Sequence, residues 1–213
     1  MLKTKIKASQ IQHLTDARYF SAWYAESLGF NLEPQTLTAV TPQQLQEIRV
    51  WLAGVDIVGE CGFSQSGTEI LALAEQLELD AVQLPHFYDK TEALKIAQSD
   101  CPIIKYLQFT TDWATTLQDA ANYADIASIF VLDLSNSNLA KMAAWTAEDK
   151  AQLDAFTKAY TTYLAFDVLP EDIDELLALL PNMEGIQLKG GEEERVGVKS
   201  FDELDALFDV LQD

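Results

Sequence analysis

The sequence predicts an α/β protein of the (β/α)8 kind, a closed eight-stranded parallel barrel, and three observations predict it. Short β-rich segments recur every ~22 to 34 residues, each followed by a stretch with helical periodicity, which is the pattern of repeated βα units. Eight such units fall within 213 residues, which fits a closed barrel near its lower size limit of ~200 residues better than an open doubly wound sheet. No Gly-rich GxGxxG turn follows the first strand, and this weakens a dinucleotide-binding alternative.

The strands are expected at Thr4 to Ala8, Ser27 to Asn31, Val55 to Gly59, Ala81 to Leu84, Ile103 to Leu107, Ser128 to Asp133, Tyr163 to Phe166 and Gly185 to Leu188. Several are almost wholly apolar, as parallel strands covered on both faces should be. Between them, Thr41-Pro42 opens the second helix with a cap residue followed by proline at the first helical position. Thr68 is the expected cap of the third, whose Ile70, Leu73, Ala74 and Leu77 share one face. Pro170 with Glu171 and Asp172 starts the seventh, where acidic residues complement the helix dipole. The eighth runs from about Phe201 to Leu211 and buries Phe201, Leu204, Leu207, Phe208 and Leu211. The longest irregular stretches, Leu32 to Val40, Cys61 to Gly67 and Leu134 to Thr146, directly follow strands, where loops line the functional face of a barrel.

A hydrophobic fraction of 48% with ten Phe, seven Tyr and four Trp excludes disorder, and no run of about 18 apolar residues is present to span a membrane. The length suits one domain over residues 1–213. The N-terminus, Met1 to Lys7, lacks the apolar core and small-residue cleavage site of a secretory signal, so a cytoplasmic location is expected. Cys61 and Cys101 are the only cysteines and form neither a disulfide framework nor a thiol-rich metal site. A formal charge of −20 opposes nucleic acid and anionic membranes. It also disfavours a phosphorylated substrate unless local positive charge compensates. Lys105, inside the fifth strand, is expected to form a structural ion pair or to point into the barrel.

The segment Lys7-Ala8-Ser9-Gln10-Ile11-Gln12-His13-Leu14-Thr15-Asp16-Ala17 resembles the opening of the phosphoribosylanthranilate isomerase family, K-I-C-G-I-T-x-x-x-D-A. The resemblance continues through Leu28-Gly29-Phe30, Thr41-Pro42-Gln43-Gln44, Asp80-Ala81-Val82-Gln83-Leu84, Val131-Leu132-Asp133, Leu164-Ala165, Pro170-Glu171, Gly185-Ile186 and Gly197-Val198-Lys199, in order across nearly the whole chain. It implies a β/α barrel and an Amadori rearrangement in tryptophan biosynthesis, with no cofactor. In that reaction a cysteine base removes a proton from the sugar carbon and a strand-six aspartic acid protonates the ring oxygen. Carried over position by position, Asp133 is the candidate acid and Ser9 stands where the family has its base. A thiol of ordinary pKa about 8.5 supplies thiolate near neutrality, whereas an alcohol needs an activating partner, and no such partner for Ser9 is evident in the sequence.

The phosphate-binding positions depart further. Phe166-Asp167 replaces the Gly-Gly pair after strand seven, and Lys189-Gly190-Gly191 replaces S-S-G after strand eight, with Glu192, Glu193 and Glu194 immediately following. Thr38, Pro85-His86, Gln187 and the stretch Ser135-Asn136-Ser137-Asn138 also depart from the family pattern. The expected ligand-binding residues are Lys7, Lys189, Gly190, Gly191, Asp167 and His86, all near strand C-termini together with Glu60. Their spacing is not a metal motif, and no metal is expected.

The joint change of base and phosphate pair points to a diverged barrel without efficient family activity, serving a binding, regulatory or altered catalytic role. The alternatives are an active phosphoribosylanthranilate isomerase with an unorthodox base, water or a carboxylate, and a barrel that binds a metal or small molecule. Whether the chain is an enzyme stays open here; if active, it is an intramolecular aldose–ketose isomerase. The expected partner is a small molecule at the C-terminal face of the barrel, and monomer and homodimer are both open.

Overall fold

The computed structural model describes residues 2–110, 112–190, 193–195, 198–199 and 201–212. Eight parallel strands close on themselves in chain order: β1 (Lys5–Ser9), β2 (Ser27–Asn31), β3 (Asp56–Glu60), β4 (Ala81–Leu84), β5 (Ile103–Gln108), β6 (Ile129–Asp133), β7 (Thr162–Ala165) and β8 (Gly185–Lys189). Closure comes from β1 pairing with β8 along its full length, from Lys5 opposite Gly185 to Ser9 opposite Lys189. Every strand lies within one residue of its expected range. The helices α1 (Leu14–Ala22), α2 (Pro42–Arg49), α3 (Gly67–Gln76), α4 (Lys90–Ile96), α5 (Trp113–Tyr123), α6 (Ala147–Ala159), α7 (Ile173–Leu179) and α8 (Asp202–Leu211) alternate with them, and a short antiparallel pair, β9 (Glu193–Arg195) and β10 (Val198–Lys199), follows β8.

Local chemistry starts the helices. Thr41 accepts from the Gln44 N–H while the Gln44 side chain returns to the Thr41 N–H, a reciprocal box with Pro42 in the first turn. In α3 the cap is Ser66, boxed with Glu69, and not Thr68, which lies exposed inside the first turn. Pro170 to Asp172 forms a short 3-10 turn ahead of α7, and Phe201 occupies the N-cap position of α8 rather than its first turn. Leu207, Phe208 and Leu211 are the fully buried stripe of α8, while Leu204 and Phe201 are half-buried.

Side chains alternate across each strand, so every second residue enters the barrel. Val58, Ala81, Ile104, Val131, Tyr163 and Ala165 fill the interior as an apolar plug, packed by Tyr106 and Ile129. The larger apolar layer lies between the strands and the helices. Gly185 exists for a steric reason: a Cβ there would stand 2.2 Å from the Lys5 carbonyl oxygen and 2.6 Å from Cε1 of Tyr163.

Lys105 sits between two interior residues, so its side chain leaves the barrel on the helix side instead of entering it. It is fully buried, donates to the carbonyls of Pro85 and His86, and lies 4.1 Å from the centre of the Tyr123 ring. Two carbonyls and an aromatic face thus hold it where an ion pair was expected. Burial pulls its pKa from 10.5 down to about 8. Between those values the unfolded chain binds a proton that the fold does not, so stability from this group rises with pH across that window. Relative to Lys105→Met, the native chain should gain up to about 3 kcal/mol of unfolding free energy between pH 8 and pH 10.5, read from denaturant curves at several pH values. A pH-independent difference between the two proteins would show that this lysine is not desolvated.

Candidate active site

The C-terminal ends of the strands surround a cavity of about 240 Å³. Two larger depressions, of about 510 and 440 Å³, open at the opposite end, beside the segments entering β4 and β5 and beside Lys5, Glu26 and Glu184. We place the site at the smaller one because loops after strands build function in this architecture and because buried ionisable groups gather there.

Three strands end in the residues that matter most. Ser9 closes β1, Glu60 closes β3 and Asp133 closes β6, each buried and each at an inward-facing position. The Ser9 hydroxyl donates to Glu60 Oε1 at 2.7 Å, so the serine does have a carboxylate partner, supplied from a non-adjacent strand. The same oxygen accepts from Lys7 Nζ at 2.9 Å, and Lys7 also donates to Gln187 Oε1 at 2.9 Å. Lys7 is fully buried beneath the mouth and does not line the cavity. Gln10 completes the arrangement by turning its N–H onto Glu60 Oε2 at 3.1 Å. To do so it adopts a left-handed φ of 56°, a region that costs an ordinary residue about 1–2 kcal/mol. The family pattern K-I-C-G carries glycine at this position.

Asp133 is held on three sides. Its Oδ1 accepts from the Ser135 N–H at 2.8 Å and the Ser135 hydroxyl at 2.5 Å, and its Oδ2 accepts from the Tyr106 hydroxyl. Burial, reinforced by this carboxylate, drives the Tyr106 phenol well above its usual range. Cys61 is the thiol nearest the mouth, but burial pushes it up as well, so it supplies no thiolate near neutrality. Gln83 borders the cavity at 8% exposure, and its Oε1 finds no donor among the described residues.

The remaining expected ligand residues divide. Lys189 lines the cavity at its exposed rim, and Gly190 follows it, close to Asp16. Gly191 lies outside the described residues. Asp167 is exposed and does not line the cavity; its N–H donates to the Ala140 carbonyl at 2.8 Å. Phe166 also stays clear of the mouth, because the strand parity that puts Ala165 inside turns its ring outward against Trp145, 5.2 Å between centres. His86 lies outside the barrel: Nδ1 accepts from the Gln108 N–H at 3.2 Å and Nε2 stands 3.6 Å from Asp119. Burial is the main cause of its lowered pKa, so near neutrality it is an uncharged wall residue.

A belt of hydrogen bonds fixes the loops after β2, β3 and β4. Gln65 accepts from the Gly62 N–H at 2.8 Å and donates to the Leu32 carbonyl at 3.3 Å, Tyr88 donates to the Gln65 carbonyl at 2.8 Å, and Tyr123 donates to the Tyr88 carbonyl.

Residues 6–210 match the family described as N-(5'-phosphoribosyl)anthranilate (PRA) isomerase. The chain belongs to that family. A PRA isomerase of Gloeothece citriformis is 29% identical over 210 residues, covering 97% of this chain and 93% of the relative. The crystal structure of the Thermus thermophilus enzyme is 28% identical with a TM-score of 0.73, and 98% of each chain is covered. That of Thermotoga maritima, at 21% identity and a TM-score of 0.75 over 98% of each chain, supports the PRA isomerase fold alone. No helix among the described residues is long and apolar enough to cross a membrane.

Tyr106, Ser135 and Gln83 do not enter the ligand set expected from the sequence, and Glu60 is expected near the strand ends with that set but not as the partner of Ser9. The signal that could have found them is positional: Asp56-Ile57-Val58-Gly59-Glu60 ends an otherwise apolar run in an inward-facing charge, as the strand ending at Asp133 does.

Proposed function

We propose that this PRA isomerase-family barrel moves protons on a small hydroxylated carbonyl compound, with Glu60 as base beside Ser9 and Asp133 as acid. Phosphoribosylanthranilate itself is, on this reading, a poor substrate. The observation that carries the proposal is the 2.7 Å bond between Ser9 and Glu60. It puts a carboxylate at the family's base position, while Asp133 stands three strands away around the closed barrel. Acid and base therefore border one cavity from different walls, as general acid–base catalysis requires. Electrostatics argues against the family's named substrate, which carries both a phosphate and an anthranilate carboxylate. Glu33, Glu60 and Asp133 border the cavity, Lys7 is already engaged with Glu60 and Gln187, and among the described lining residues Lys189 at the rim is the remaining cation. The cavity is also smaller than the roughly 300–1,000 Å³ usual for drug-sized ligands.

The family relationship keeps a second reading, an efficient PRA isomerase that uses Glu60 in place of cysteine. Two measurements separate them. Turnover of phosphoribosylanthranilate should fall at least about 100-fold below that of the Gloeothece citriformis relative assayed alongside, a difference of about 3 kcal/mol in barrier. Among unphosphorylated aldoses, ketoses and glycosylamines in deuterium oxide, NMR should reveal exchange of the proton next to the carbonyl, and Asp133→Asn should abolish the ensuing isomerisation. Turnover of phosphoribosylanthranilate matching the relative would overturn the proposal in favour of the second reading.

A further inference from the structure

We infer that the mouth selects a small organic cation, an ammonium-bearing polyol, over neutral and anionic compounds of the same shape. This rests on the reading above that the mouth is the working site, and it follows from counting which protons the wall has already spent. Each hydroxyl that touches a carboxyl oxygen of this wall donates to it. The Ser9 proton therefore goes to Glu60 and the Tyr106 proton to Asp133. Asn31 spends its amide protons on the hydroxyls of Thr36 and Thr38, and Lys7 spends its bonds on Glu60 and Gln187.

Among the described lining residues donors remain at the Lys189 ammonium on the rim and in the side-chain amides of Gln10, Gln83 and Gln187, but the carboxyl groups of Glu33, Glu60 and Asp133 outnumber that one cation. Ser9 and Tyr106 keep oxygen lone pairs, and Glu60 Oε2 takes only the Gln10 N–H among its described bonds. Glu33 lies across Gly62, where a Cβ would meet its carboxyl carbon at 2.0 Å. Gln83, more than nine-tenths buried on the cavity wall, has a carbonyl oxygen with no donor. A buried acceptor without a partner is costly, and a ligand rich in N–H and O–H groups removes that cost. The acidic groups are not a metal cage: no group of three or more His, Cys, Asp or Glu among the described residues is arranged to hold an ion.

Calorimetric titration with three probes of one skeleton tests this: 1-amino-1-deoxyfructose (cation), fructose (neutral) and fructose 6-phosphate (anion). The cation should bind at least about tenfold more tightly than fructose, and the phosphate more weakly than either. Glu33→Gln, which keeps the shape at a half-buried rim position and removes its charge, should shrink the cation preference several-fold, with a smaller change in fructose affinity. Equal affinity for cation and neutral sugar, tightest binding of the phosphate, binding of none of the three, or displacement of the amine by millimolar magnesium would overturn the inference. Deuterium exchange persisting on neutral sugars in any of those cases would leave the acid–base reading standing.

Discussion

Replacing Glu60 with glutamine should lower the unfolding free energy by about 3–5 kcal/mol, the usual cost of stranding one partner of a buried ion pair. Lys7 is fully buried and Glu60 nearly so, and the two meet at 2.9 Å. With the negative charge gone, the buried ammonium keeps only neutral amide oxygens, those of Gln187 and of the new glutamine, as acceptors. Lys7→Met should cost less, because Glu60 would keep the Ser9 hydroxyl and the Gln10 N–H as donors. The double variant should recover part of the Glu60→Gln loss, since it leaves no buried charge unpaired. Urea unfolding of the four proteins closes the cycle and isolates the coupling. A loss below about 1 kcal/mol for Glu60→Gln would place the pair in the solvated class, where such bridges contribute little.

Gly185→Ala should destabilise by about 3 kcal/mol or more, above the ordinary range for an added methyl in a packed interior. Two neighbours oppose the new Cβ, and one cannot give way: the Lys5 carbonyl belongs to the strand whose pairing with β8 closes the barrel. The Tyr163 ring is the softer obstacle. In a Tyr163→Leu background the same substitution should therefore remain strongly unfavourable, a test of backbone against side-chain clash. Gly54→Ala is the control: nothing lies within 4 Å of its Cβ, and only a φ of 72° opposes it, worth about 1 kcal/mol. Equal losses at the two positions would remove the argument for a steric seal at β8.

The elements were legible in the sequence because their causes are local. Thr41-Pro42 sets a helix start through groups three residues apart, and apolar runs bounded by turns set the strands. The one misplaced cap, Thr68 for Ser66, is a shift along a segment where both residues are competent and the partner at the third position decides. The site was legible only in part. The family pattern directs attention to Asp133 and Ser9, yet the Ser9 partner lies 51 residues away on a strand that is not a neighbour, and the curvature of the sheet brings it near. Phe166 illustrates the converse. A ring in place of glycine reads as an obstruction, but one step of strand parity sends it into the core against Trp145.

Lys7 and Gln187, joined beneath the mouth, are 180 residues apart, and this bears on how the molecule comes to be assembled. Contacts of such separation form only after the intervening loop entropy has been met. Glu60 belongs to the first four strands, whereas Asp133 and Gln187 belong to the last four. Neither half of the chain holds both members of the proposed acid–base pair, and the first half alone carries an ammonium without its carbonyl partner from the second. The proposed site is therefore whole only when β1 and β8 are paired, so its assembly depends on the contact most distant in sequence.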